Sequence, residues 1–147
     1  MLDEKDIKIL KELKRNGRLS AQEIAKRTGI AVTTVFNRTK RMERTGVIRG
    51  YTAVLDEGKT GRNTAAYVSI TVNYNILKRK KITQHQLAAQ LRTHEYVDEV
   101  AMITGTSDII VKIRTPDISQ LNEFVTKYLR NIEGVERTQT SVVLESF

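Results

Sequence analysis

Between residues 33 and 44 the chain places hydroxyl, amide and cationic side chains, Thr33, Asn37, Lys40, Arg41 and Arg44, at steps of one, three and four. On a helix turning 100° per residue these five share one side, opposite Val35, Thr39 and Met42. Hydroxyls, amides and cations are the groups that bond base edges and phosphate oxygens in duplex grooves. Thr33, Thr34 and Asn37, nearest the start of such a helix, are candidate base readers. Phe36 lies at the margin and suits a thymine methyl, while Lys40, Arg41 and Arg44 suit the phosphate backbone. Arg38 falls closer to the buried line, where it either clamps a phosphate or tethers the helix to its neighbour. The plain alternative for all of these is an ordinary solvated helix face.

A second cluster is the turn Gly105-Thr106-Ser107-Asp108, which offers backbone amides, two hydroxyls and one carboxylate. Amides suit a carboxylate and an Asp suits an ammonium, so an amino acid fits this chemistry. A simple β-turn fits the same residues. Catalytic signals are poor. His85 and His94 bracket one helical stretch without further metal ligands and read as surface histidines, Ser107 lacks a Gly-x-Ser-x-Gly elbow, and there is no Gly-rich phosphate loop. The chain reads as neither an enzyme nor a cofactor-dependent protein.

The elements that must position these groups are announced by their caps. Asp3 with Asp6, flanked by Leu2 and Ile7 as a hydrophobic staple, opens a first helix that Asn16-Gly17 stops; its buried stripe is Ile7, Ile9, Leu10 and Leu13. Ser20 with Glu23 opens a second, ended by Thr28-Gly29, and a third runs from about Ala31 to Thr45 before Gly46. Only Thr28-Gly29-Ile30-Ala31 separates the last two, the short Gly-containing link of a helix-turn-helix. Val47 to Leu55 is β-prone and reads as a wing or linking strand.

Past Asn63 the apolar period becomes two, with Ala66, Val68, Ile70, Val72 and Tyr74 in one phase. Lys78-Arg79-Lys80-Lys81 reads as a basic loop, and Thr83 with Gln86 caps a helix. Strands at 97–104 and 108–115 flank the turn, Asp117 caps another helix, and a strand follows Gly134. The order βαββαβ gives a ferredoxin-like α+β domain behind a winged helix-turn-helix. One sheet face should lie open, with Ile109, Val111, Ile113 and Ile110 alternating with Lys112 and Arg114, and self-association there is expected. The boundaries are residues 1–50 for the winged helix-turn-helix, 51–63 for a linking strand and hinge, and 64–147 for the βαββαβ domain.

Charge agrees with this division. Of the formal +8, residues 1–63 hold 15 Lys and Arg against 8 Asp and Glu, whereas residues 64–147 hold 10 against 9. A basic segment joined to a nearly neutral one points to a polyanion met by the first part. The absence of Cys excludes thiolate metal sites and disulfides, and no apolar run nears the roughly 20 residues of a membrane span. An acidic, polar start is unlike a signal peptide, so a soluble, unprocessed cytoplasmic protein is expected.

The sequence resembles the Lrp/AsnC, or feast/famine, transcriptional regulators across nearly its whole length. The resemblance is carried by Leu2 to Leu10, by Ser20 to Ala25, by Arg38 to Ile48 running into Gly50-Tyr51-Thr52, by Thr104-Gly105-Thr106-Ser107-Asp108 as the family's Gly-x-x-Asp turn, and by Ile132 to Thr140. It implies a nucleoid-associated regulator of double-stranded DNA with a pseudo-palindromic operator. It also implies homodimers formed through the linking strand and the sheet faces, built further into tetramers or octamers. An amino-acid effector would lie between dimers at Thr104 to Asp108, with Thr138 and Thr140 completing the pocket. Two departures stand out: Ala31 replaces the usual Ser cap, forfeiting about 1 kcal/mol, and the segment 73–81 is longer and more basic than usual. The rival readings are an amino-acid-binding regulatory subunit of a metabolic enzyme and an RNA-binding module. The second would need aromatics that Asp108 to Thr115 does not contain.

Overall fold

The computed structural model describes residues 1–146. They fall into two compact units, Met1–Val54 and residues 55–146.

In the first unit, α1 (Glu4–Arg15), α2 (Ala21–Thr28) and α3 (Val32–Arg44) enclose a small core of Ile9, Leu19, Ile24, Ile30, Val35 and Met42. The Asp3/Asp6 and Ser20/Glu23 capping boxes both form. Gly29, at φ +72°, ends α2 in the left-handed conformation that lets the chain turn directly into α3. Ala31 caps α3 with no side-chain bond, so the first amides of the helix lack a capping acceptor. The inward face of α1 differs from the apolar stripe expected. Ile7 is 54% exposed, and Asp6 takes an inward position at 0% exposure. The reason lies across the unit, where Arg38 and Arg41 supply the charge that makes burying a carboxylate tolerable.

The β-prone run 47–55 forms no strand within the chain. High strand propensity needs a partner's amides and carbonyls, and none of the described residues offers them. The run is extended, with Tyr51, Val54 and Leu55 exposed, although Ile48 folds back so that its N–H donates to Met42 O at 3.0 Å.

The second unit contains β1 (Thr64–Val72), α4 (Tyr74–Lys80), α5 (Gln84–Arg92), β2 (Val97–Met102), β3 (Ile109–Thr115), α6 (Ile118–Glu123) and β4 (Val135–Val142). A π turn (Phe124–Tyr128) and a 3-10 turn (Leu129–Asn131) prolong α6. The four strands form an antiparallel sheet in the order β2-β3-β1-β4. Ala66, Val68, Ile70 and Val72 pack with Ile109, Val111 and Ile113 against Leu77, Leu87, Leu91, Leu121, Phe124 and Leu129. This is the expected ferredoxin-like layer of helices over one sheet face.

Two expectations need correction. The basic run 78–81 is the last turn of α4 and its cap rather than a loop. Asn73 starts that helix by accepting from Ile76 N–H at 3.0 Å, and cations suit its carbonyl end. Ile109, Val111 and Ile113 lie under the helices, with 0% exposure, so the open sheet face is not the apolar surface foreseen. By register it carries Ala65, Tyr67, Ser69 and Thr71 beside Ile110, Lys112 and Arg114. The period of two was correct, but the phase belonged to the covered face. On the open face the Lys112 ammonium stands 5.9 Å from the Tyr67 ring centroid, and Arg114 bonds Asp98 at 3.1 Å.

Candidate nucleic-acid interface and effector turn

Val35 and Met42 are fully buried on α3, and Thr39 is half-buried with its hydroxyl unpartnered. Pinning that side turns Thr33, Asn37, Lys40 and Arg44 outward as one exposed stripe running the length of the helix. Thr34 is half-buried on one flank. Phe36, 54% exposed, is on the other, beside a shallow depression of about 190 Å³ shared with Leu19, Thr39 and Glu43. Lys40 pairs with Glu43 at 2.9 Å, and Glu43 also accepts from the Tyr51 hydroxyl at 3.0 Å. Both bonds hold the Glu43 carboxyl below its ordinary value, that from Lys40 most strongly.

Arg38 and Arg41 are not free cations. Arg38 Nη1 donates to Asp3 and, at 3.0 Å, to Asp6 Oδ1, while Arg41 Nη2 donates to Asp6 Oδ2. The Arg38 bond and the Asp6 amide bring the Asp3 carboxyl down to about 2. For Asp6, burial works to raise the carboxyl, but bonds from the Asp3 amide, Arg38 and Arg41 outweigh it and hold it low. These bonds tie Arg38 to the start of α1. Arg41, read from sequence as a backbone holder, shares that duty. Neither acid was singled out as an ion-pair partner, because sequence spacing shows only that both cap α1. The position of Arg38 close to the buried line was the available signal.

In the second unit, Thr104, Gly105 and Thr106 are exposed and Ser107 and Asp108 half-buried, in the loop joining β2 to β3. Gly105, at φ +127°, has a backbone that a side chain would strain. Asp108 is already occupied. Its Oδ2 accepts from Val72 N–H at 2.8 Å, beside the bulge between Thr71 and Val72, and its Oδ1 accepts from the Tyr74 hydroxyl at 2.8 Å. Its carbonyl accepts from Gln84 Nε2 at 3.1 Å, and its amide donates to Ile70 O at 2.9 Å. Tyr74 is raised above the ordinary phenol value chiefly by that carboxylate. Through these bonds Asp108 braces β1, α4, α5 and the turn. The amides of Thr104 to Ser107, by contrast, donate to no acceptor among the described residues.

Thr138 and Thr140 do not join this turn within the chain. They pair with Ile70 and Val68 on the far side of β1, whose other neighbour is β3, so two strand spacings, about 10 Å, intervene. Tyr74 and Gln84 are the turn's neighbours that sequence reading missed, because contacts 24 and 34 residues apart leave no local pattern. His94 is also not the surface residue expected. It packs among Tyr96, Phe124 and Tyr128 with Nδ1 accepting from Tyr96 N–H at 3.1 Å, and burial pushes its imidazole below the usual value. Among the described residues no group of three or more metal-binding side chains forms, and no helix is long and apolar enough to cross a membrane.

Comparison with known proteins bears on both regions. Residues 2–49 match the winged helix-turn-helix DNA-binding family, and residues 65–147 match the Lrp/AsnC ligand binding domain. The HTH-type transcriptional regulator FL11 of Pyrococcus furiosus is 36% identical over 145 residues, covering 99% of this chain and 91% of that protein. The leucine-responsive regulatory protein of Escherichia coli is 33% identical over 144 residues, covering 98% and 85%. The crystal structure of NMB0573 from Neisseria meningitidis, a transcriptional regulator in complex with L-Met, superposes with a TM-score of 0.87 at 28% identity, over 99% of this chain and 91% of that one. Matched in both of its units and along almost all of its length, the chain belongs to the Lrp/AsnC family of transcriptional regulators.

Proposed function

We propose that this protein reads a specific, pseudo-palindromic DNA operator with α3 as a homodimer or higher oligomer, and that an amino acid bound at the turn 104–108 modulates assembly or DNA affinity. The outward stripe Thr33, Asn37, Lys40 and Arg44 carries the first part. Its amino-terminal members have the chemistry for base edges and its carboxy-terminal members that for phosphates. Thr34 and Phe36 flank the stripe as lesser contacts, and Arg38 and Arg41 hold the helix at the correct roll. For the second part, the unbonded amides of Thr104 to Ser107 suit a carboxylate, with the Thr106 and Ser107 hydroxyls beside them. Asp108 shapes the turn rather than meeting the ammonium. Thr138 and Thr140 enter the pocket only from another protomer. The L-Met held by the Neisseria regulator supports a small polar effector in general.

The test is fluorescence anisotropy with duplex from upstream of the protein's own reading frame against a shuffled duplex. The natural sequence should bind more tightly, and Asn37→Ala should shrink that preference by roughly 10- to 100-fold, the worth of one bidentate base contact. Equal binding of the two duplexes by the wild type, at every salt concentration, would rule out sequence reading by α3. A thermal-shift screen of the twenty amino acids identifies the effector.

A further inference from the structure

The cations of the second unit are not spread over it. Lys78, Arg79, Lys80 and Lys81 are four of its ten from residue 64 onward, and the other six face nine acids. Without this one turn the domain would be acidic, so the turn is a positive spot on a negative body. Its surroundings do not neutralise it. Lys80 pairs with Glu133 at 2.8 Å, whereas Lys78, Arg79 and Lys81 are exposed and form no ion pair among the described residues.

The turn is also rigidly mounted. Leu77 is buried, and a Cβ on Gly134 would come within 2.4 Å of its side chain, so α4 lies tightly on the loop before β4. Ile82 N–H returns to Leu77 O at 3.0 Å, and Ile82 lines a depression with Lys127 and Glu133. Arg130, exposed and unpaired among the described residues, lies in the 3-10 turn that precedes this loop. Lys81 adopts φ 56°, the one positive φ on a non-glycine residue among those described. Helices favour glycine at that position, where a side chain crowds the following carbonyl. A cation stands here against the preference of its own backbone.

Cations at a helix end complement the peptide dipole, but that benefit fades within a turn and needs neither four of them nor one in a strained cap. We propose that Lys78, Arg79 and Lys81 form a second, sequence-neutral site for the DNA phosphate backbone, separate from the reading helix. This rests on the DNA-binding reading above, which makes duplex phosphates the polyanion at hand. Exposed, unpaired cations on an anchored backbone displace condensed counterions when they meet it.

The experiment measures the slope of log Kd against log salt on a long duplex containing the operator. Every phosphate that the protein ceases to neutralise takes about 0.9 off the slope, so the Lys78→Gln/Arg79→Gln/Lys81→Gln variant should lower it by about 2.7 per engaged protomer, with the preference for operator over shuffled DNA intact. Lys81→Gly removes one charge and relieves the cap, so it should raise Tm while lowering the slope by about 0.9. Slopes unchanged in both variants would overturn the site, as would loss only of heparin or anionic-vesicle binding with the DNA slope intact. Failure of the α3 reading looks different, since the wild type itself would then show no operator preference.

Discussion

Asp6 occupies a position where the amphipathic pattern of α1 would accept a leucine, and it is fully buried there. One carboxylate satisfies the Asp3 amide, Arg38 and Arg41 together, so the same residue caps α1 and sets the roll of α3. Asp6→Ala removes all three bonds and should cost about 2–3 kcal/mol in urea unfolding, less than for a fully enclosed pair because Arg41 can turn to water. A change within about 0.5 kcal/mol, the noise expected of a surface site, would show the network to be idle. The pH dependence follows from the same contacts. Asp3 and Asp6 both sit below their unfolded values, so the folded state binds fewer protons. Their contribution is complete above the ordinary aspartate value of 3.8 and is lost as pH falls through their lowered folded values, about 2 for Asp3. His94 acts with the same sign at higher pH. Its folded value is depressed, so its contribution is present above 6.5 and declines as pH falls below it. Thermal melts from neutral to strongly acidic pH should therefore step down twice, with only the lower step reduced in Asp6→Ala, where Asp3 keeps its bonds from Arg38 and from the backbone amide of residue 6.

At the scale of elements, α4 connects two features that are far apart in function. Its first residue, Tyr74, donates to Asp108 in the turn 104–108, and its last turn carries the cation cluster. Tyr74→Phe deletes that one bond and leaves the ring in place, so stability should fall only slightly, Tyr74 being 55% exposed. If the brace preforms the turn, the variant should keep wild-type affinity for operator DNA without effector and show a weakened thermal shift with it. An undiminished shift would detach Asp108 from effector binding. The elements themselves were largely legible, because the Asp3/Asp6, Ser20/Glu23 and Thr83/Gln86 boxes are local signals that the folded chain honours. α4 was not, since a seven-residue helix with Leu77 as its buried residue leaves no apolar period to see. The stripe on α3 was legible because helical geometry alone puts its members together. The roles of Arg38, Arg41 and Asp108 were not, since each depends on partners 32 to 36 residues away.

At the scale of the whole molecule, the two surfaces the sequence offers for self-association, the linking strand and the open sheet face, are unequal. The open sheet face is mostly small and polar, with Lys112 held over Tyr67 and Arg114 by Asp98, so it offers little apolar area to bury. The extended run around Thr52 to Leu55 offers more. Val54 is 98% and Leu55 56% exposed, and backbone groups of strong β propensity lie there without ladder partners. Two copies of such a run can supply one another's hydrogen bonds and bury both side chains, which a lone chain cannot do. Val54→Asp/Leu55→Asp gathers like charges from both copies at that seam and should shift sedimentation equilibrium from dimer toward monomer, raising Kd by roughly tenfold or more. Lys112→Ala on the sheet face should shift it less. With the seam broken, operator affinity should fall further than affinity for an isolated half-site, because a two-fold operator rewards two α3 helices held in fixed register. A dimer as tight as wild type in the double variant would move the interface off the extended run and back to the sheet.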